Sequence, residues 1–197
     1  MITVPHKSNL LDNPTQMPAG FLPNDHNIEF IGTKDTFNVF WLQNGRTLRF
    51  TDLPTNTYQL VKEAYLNSPK AVSYLSKISK ELKRQVEMFV CFMWGDLDSL
   101  PDVKDGKLSE SENFRSKRDC PSLLWNKKNI NIGSYILSQR ERMMIDLMAD
   151  NYPDKAIASA LSISHSYLDE LKRLLFKSTN TNSKPALLLK AKTFKVI

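Results

Sequence analysis

Two cysteines in 197 residues, Cys91 and Cys120, are too few for a disulfide framework or a zinc tetrad. They are expected to be reduced and structural. Histidine is nearly as scarce. His6, His26 and His165 are scattered, so there is no paired-histidine metal motif. Six glycines are spread along the chain without making a phosphate-binding loop, and no nucleophile elbow is present. These gaps argue against an enzyme and leave no cofactor to expect. The longest apolar run, "MFVCFMW" at 88–94, is far too short to span a bilayer. The N-terminus "MITVPHKSNLLDNPTQMPAG" lacks a basic start followed by an apolar stretch, so no signal peptide is expected. The expectation is a soluble, cytoplasmic protein that makes no use of a membrane.

What is present is a hydrophobic content of 41%, enough for a packed core, and a net charge of +6. A basic excess of this size favours an acidic partner without naming one. The excess is uneven. Residues 137–197 hold 10 Lys/Arg against 6 Asp/Glu, so two thirds of it lies in the last third of the chain. From residue 178 onward there are four lysines (Lys184, Lys190, Lys192, Lys195) and no acid.

Residues 1–27, with Pro5, Pro14, Pro18 and Pro23, read as an extended arm. Next, "TFNVFWLQ" and "RTLRF" flank Asn44-Gly45. That pair suits a type I′ turn because both positions need positive φ, which predicts a hairpin with "IEFIG" as a possible third strand. From Asn56 the pattern turns helical, with a break at Asn67-Ser68-Pro69. A single long helix over 70–93 is predicted from Val72, Leu75, Ile78, Leu82 and Val86, spaced by three or four residues. Lys80, Lys83 and Arg84 lie on its outer side, as a solvated face or a supplementary phosphate surface. The aromatics Phe37, Phe40, Trp41, Tyr58 and Tyr65 read as core more readily than as a ligand pocket.

Residues 95–136 are the least regular. Asp96, Asp98, Asp102 and Asp105 cluster there, but Leu100 and Pro101 occupy places where a calcium loop needs a ligand and a glycine. The acids are expected in solvated turns, with no metal bound. Leu100, Leu123, Leu124 and Trp125 are expected to pack this segment down.

The last third is more explicit. Ser138 and Glu141 make a capping box, Asn151 can end the helix in the left-handed conformation, and Pro153-Asp154 suits the start of another. The second helix, 154–161, is short and rich in alanine, which lets a neighbour approach closely. Leu161 and Ile163 bracket a turn, and Ser164 caps a third helix with a buried stripe of Leu168, Leu171 and Leu175. Its outer face is expected to show His165, Ser166, Asp169, Glu170, Lys172, Arg173 and Lys177. A small helix bracing another that stands proud has the physics of a helix-turn-helix. The expected fold class is thus α+β: mainly α, a small β-hairpin part over 28–136, and a C-terminal bundle of about four helices over 137–197.

Residues 137–191 also resemble the LuxR-type (NarL/FixJ-like) helix-turn-helix domain. The likeness lies in Leu137, Arg140 and Glu141; in Lys155, Ile157, Ala158 and Leu161; in Ile163 and Ser164; and in Ala186, Leu187 and Ala191. No resemblance extends to residues 1–136, which lack the acidic pair and alternating units of a receiver domain. The departures are Asn151 for the usual glycine, Ala156 for an acid or glutamine, and Ser178-Thr179 for a lysine-leucine pair. Most telling, Asp169 and Glu170 stand where basic or small residues are usual.

The resemblance implies a transcriptional regulator that binds double-stranded DNA. His165, Ser166 and Tyr167 would meet the backbone at the helix start, Lys172 and Lys177 would lie near phosphate, and Arg173 would read a base. Asp169 or Glu170 could accept from cytosine. A homodimer is expected, through helix 70–93 or helix 184–191, with residues 28–136 as a dimerisation or sensing module whose effector the sequence does not name. The alternative is a protein-interaction module reusing the same fold, which Asp169 and Glu170 favour.

Overall fold

A computed structural model describes residues 17–197. Residues 1–16, with most of the expected arm and His6, lie outside them. The remainder of the arm is not extended. Residues 17–27 fold into turns against the hairpin: Gly20 N donates to Asp25 Oδ2 at 2.7 Å, and Gly45 N and Asn44 N donate to Gly20 O and Asp25 O, both at 2.9 Å. The polar turn residues of this stretch thus satisfy one another and the hairpin tip.

Three strands, β1 (Glu29–Gly32), β2 (Val39–Gln43) and β3 (Arg46–Arg49), form one antiparallel sheet in that order. Phe30 faces Trp41, and Trp41 faces Leu48. Asn44 and Gly45 both take positive φ, 52° and 72°, as the two-residue turn requires. The sheet packs on α3 (Leu82–Trp94), against which α1 (Thr55–Leu66) and α2 (Pro69–Ile78) pack in turn, with Phe30, Trp41, Tyr65, Leu75 and Phe89 in the shared core. Where α3 ends, Gly32 N donates to Gly95 O at 2.9 Å. A methyl on Gly32 would meet Cys91 Sγ at 2.6 Å, and one on Gly95 would meet Cys91 O at 2.3 Å. Helix and strand touch there because neither residue has a side chain.

The single helix expected over 70–93 is two. Ser79 is extended, at φ −136° and ψ 145°, and α3 folds back against α2. Gln85 holds the break: its Nε2 donates to Ser79 O at 2.8 Å, and its Oε1 accepts from Tyr65 Oη at 2.6 Å inside the core. Ile78 and Leu82, which flank the break, are exposed. Lys83 and Arg84 turn inward to main-chain oxygens of residues 36, 37 and 51, so the expected basic face is partly consumed. Of the five aromatics, Trp41 and Tyr65 are buried in the core and Phe37 and Tyr58 pack against it; Phe40 is half-buried.

Residues 95–136 carry two small hairpins, β4 (Val103–Lys104) with β5 (Lys107–Leu108) and β6 (Asn131–Ile132) with β7 (Tyr135–Ile136), and a 3-10 turn at Pro121–Leu124. Trp125 is buried, its ring stacked on Phe89 with centroids 5.8 Å apart. Leu100 and Leu124, expected to pack, are exposed instead. Nor are the acids all in solvated turns. Asp102 is 1% exposed, its Oδ2 accepting from Phe30 N at 2.7 Å. Asp96 and Asp98 are half-buried, and Asp105 alone is exposed, at the tip of the β4–β5 turn.

Four further helices follow: α4 (Gln139–Ala149), α5 (Asp154–Ala160), α6 (His165–Ser178) and α7 (Lys184–Thr193). They enclose a second core of Met144, Ile145, Met148, Ile157, Leu168, Leu175, Leu187 and Ala191, which Leu123 joins to the first. Polar groups close the seam between the two cores. Arg115 grips Asp146 with two nitrogens at 3.0 and 2.9 Å, Arg118 pairs with Asp150, and Lys195 Nζ reaches Asp96 at 3.0 Å. The whole is α+β, with seven helices and small antiparallel sheets among the described residues. None of those helices is long and apolar enough to cross a membrane.

Candidate nucleic-acid interface

The site is built on α4, α5 and α6. Ser138 Oγ accepts from Glu141 N at 3.3 Å, and Glu141 Oε2 accepts from Ser138 N at 2.8 Å, so the capping box forms. Tyr135 Oη also donates to Glu141 Oε1 at 2.7 Å, tying β7 to the start of α4. Asn151 ends α4 with φ at 61°. Pro153 then caps α5, whose Ile157 and Ala158 are buried.

The turn from α5 to α6 is closed by its own backbone. Ser162 takes φ of 54°, and Ile163 N donates to Ala158 O at 3.0 Å. Ser164 Oγ accepts from Tyr167 N at 3.2 Å and starts α6. With Leu168 and Leu175 fully buried, the 3.6-residue repeat sends Ser166, Glu170, Arg173 and Lys177 to the opposite face, where all four are exposed. Among the described residues, neither Arg173 nor Lys177 is ion-paired.

The other residues expected on this face are disposed differently. Lys172 is turned toward α5, and its side chain keeps only 18% of its exposure. Its Nζ meets Asp154 Oδ2 at 2.6 Å and Asp169 Oδ1 at 2.8 Å. Partial burial opposes the ammonium, but hydrogen bonds to the two aspartates raise its pKa above the usual value. Asp169 Oδ2 lies 3.2 Å from His165 Nδ1, and the Lys172 hydrogen bond holds the Asp169 carboxyl below the ordinary range. Asp154, Lys172, Asp169 and His165 thus form one chain along the α5 flank. Lys172 therefore lies off the outward face and braces α6 against α5 through Asp154. A helix-period reading assigned it to the outer face because it could not see Asp154 across the turn.

Tyr167 lies on the other flank, with the Arg140 guanidinium 5.9 Å from its ring centroid. Arg140 and the exposed Lys155 add positive charge from α4 and α5 beside α6. Neither was singled out as a contact from the sequence, although Arg140 and Lys155 sit at the solvent-facing starts of their helices, which is the available signal. Compared with protein-family models, with curated protein sequences and with solved structures, the chain matches none of them.

Proposed function

We propose that the protein is a DNA-binding transcriptional regulator whose residues 137–197 act as a LuxR-type helix-turn-helix domain, with α6 entering the major groove. The observation that carries this reading is the outward face of α6. It is a row of exposed, hydrogen-bonding side chains on a helix capped at Ser164 and braced by α5. A recognition element needs that rigidity, because base edges are read only by side chains held at a fixed depth and angle. Arg173 has the fork that matches guanine O6 and N7. Lys177, Arg140 and Lys155 supply charge for flanking phosphates, and the α6 start, with Ser166 and Tyr167, meets the backbone. Residues 28–136 serve as the dimerisation or sensing module, since two copies on a two-fold site double the few base contacts one copy makes.

One observation favours a second reading. Glu170 sits in the middle of the outward face, and Leu174 beside it is 43% exposed. An acid and an exposed leucine suit a protein partner better than a duplex. Selection from a random duplex pool at near-physiological salt separates the two. The regulator reading expects one enriched motif. On it, Arg173→Ala costs about 1–3 kcal/mol, with much less loss on random DNA. Lys177→Ala weakens both and flattens the salt slope by about one unit, while Lys172→Ala leaves the slope alone. A pool with no enrichment, together with salt-insensitive association with a protein, overturns the regulator reading.

A further inference from the structure

Three carboxylates from separate parts of the chain converge beneath the seam. Glu29 opens β1, Asp102 precedes β4, and Glu112 follows β5. One oxygen of each lies within 4.8 Å of the others. Each is also pinned by a backbone amide: Glu29 Oε1 accepts from Asp98 N at 2.6 Å, Asp102 Oδ2 from Phe30 N at 2.7 Å, and Glu112 Oε2 from Asp96 N at 2.7 Å. Each carboxyl therefore keeps a second oxygen. Glu29 is fully buried, yet its Oε2 has no donor among the described residues, and the same holds for the buried Glu112 Oε1. A third orphaned acceptor, Asn131 Oδ1, belongs to a residue lining the same cavity as Asp102 and Glu112.

Buried acceptors without donors are costly, and buried carboxylates more so. Nearby ammonium groups do not answer these three. Lys195 Nζ bonds Asp96 and Leu97 O, and Lys128 Nζ bonds Phe92 O and Glu112 O, all outside the three carboxyl groups. We propose that Glu29, Asp102 and Glu112 form a binding site for one hard divalent cation, calcium in preference to magnesium.

The donor set decides the class of ion. It is all oxygen, with no imidazole or thiolate, which suits calcium, magnesium or manganese and not zinc or copper. Oxygens within 4.8 Å of one another can share an ion at the roughly 2.4 Å of a calcium–oxygen bond, whereas magnesium demands a tighter octahedron. The amides that hold one oxygen of each carboxyl preorganise the set and leave the other oxygen for the ion, as outer hydrogen bonds do for metal ligands. Burial first, and then neighbouring carboxylates, oppose negative charge on all three carboxyls, a cost that a bound cation offsets.

The test uses the full chain, treated with a chelator and then dialysed. Calorimetric titration with calcium chloride, and separately with magnesium and manganese chlorides, should show one site per chain, tightest for calcium, with a rise in Tm on loading. Asp102→Asn keeps the oxygen that accepts from Phe30 N and should lower calcium affinity at least tenfold. If that variant does not fold, Glu112→Gln, which likewise keeps an oxygen for Asp96 N, takes its place. Absence of heat and of any Tm change with all three salts, at pH 7.5 and at pH 9, overturns the proposal. So does calcium binding that survives unchanged in the variants.

Discussion

Glu170 lies on the solvent face of α6 with Ser166, Arg173 and Lys177, while Asp169 is turned toward α5 and answered by Lys172 and His165. The two acids are adjacent in sequence, and both look equally hostile to phosphate there. Their surroundings separate them. Asp169 lies on the α5 flank, farther from the outward face, so its removal changes the field over a duplex there less than the loss of Glu170 does. Glu170 has no ion-pair partner among the described residues. Glu170→Ala is therefore expected to tighten binding to random duplex by roughly two- to fivefold, the scale of one solvent-screened charge. Asp169→Ala should change it less. Filter binding or fluorescence anisotropy at two salt concentrations reads the difference, and equal effects would contradict the placement of Asp169 off the outward face. The residue types on α6 were legible in the sequence. Which of them face outward was legible only for those directly opposite Leu168 and Leu175; Lys172 and Asp169, on the flank, depend on Asp154.

At the level of elements, local signals were read where local chemistry sets the geometry. The Asn44-Gly45 turn, the Ser138–Glu141 capping box, the left-handed Asn151 and the Ser164 cap each need only a few consecutive residues. The break between α2 and α3 was missed because the apolar spacing runs through it undisturbed. Its cause is distant: Gln85 binds both Ser79 O and the buried hydroxyl of Tyr65. Gln85→Ala would strip a partner from Tyr65 Oη inside the core, at an expected cost of about 1–3 kcal/mol in urea unfolding. Tyr65→Phe in the same background should recover part of that loss, since it removes the stranded hydroxyl.

Over the whole molecule, acids and bases shut away from water set the pH response. With divalent cations removed, burial holds Glu29 at about 8 and Glu112 at about 9, against 4.5 for the same groups in water. Between those values the unfolded chain has released protons that the folded one keeps. Stability from these groups is complete below about pH 4.5 and is lost as pH rises toward 8 and 9. Lys128 works the other way. Burial pushes its pKa down to about 8, so the folded state gains relative stability from pH 8 to its ordinary 10.5. Urea midpoints of the chelated protein should therefore fall between pH 5 and 8 and level off or recover above 9; a midpoint that rises steadily from 5 to 8 contradicts this. None of it was legible in the sequence. Residues 29, 102 and 112 fit no contiguous template, and the acids at 96–105 read as surface because their neighbours are polar.

The contact between Gly32 and Gly95 has a consequence for suppressor genetics. A methyl at Gly32 meets Cys91 Sγ at 2.6 Å, a side chain that a second substitution can shorten, and the Gly95 backbone at 3.0 and 3.3 Å. Damage from a methyl at Gly95 falls on the carbonyl oxygen of Cys91, which every amino acid carries. A change at residue 91 relieves the worst overlap of the first lesion and none of the second, so two glycines that look equivalent across one interface differ in how far a change at either is reparable.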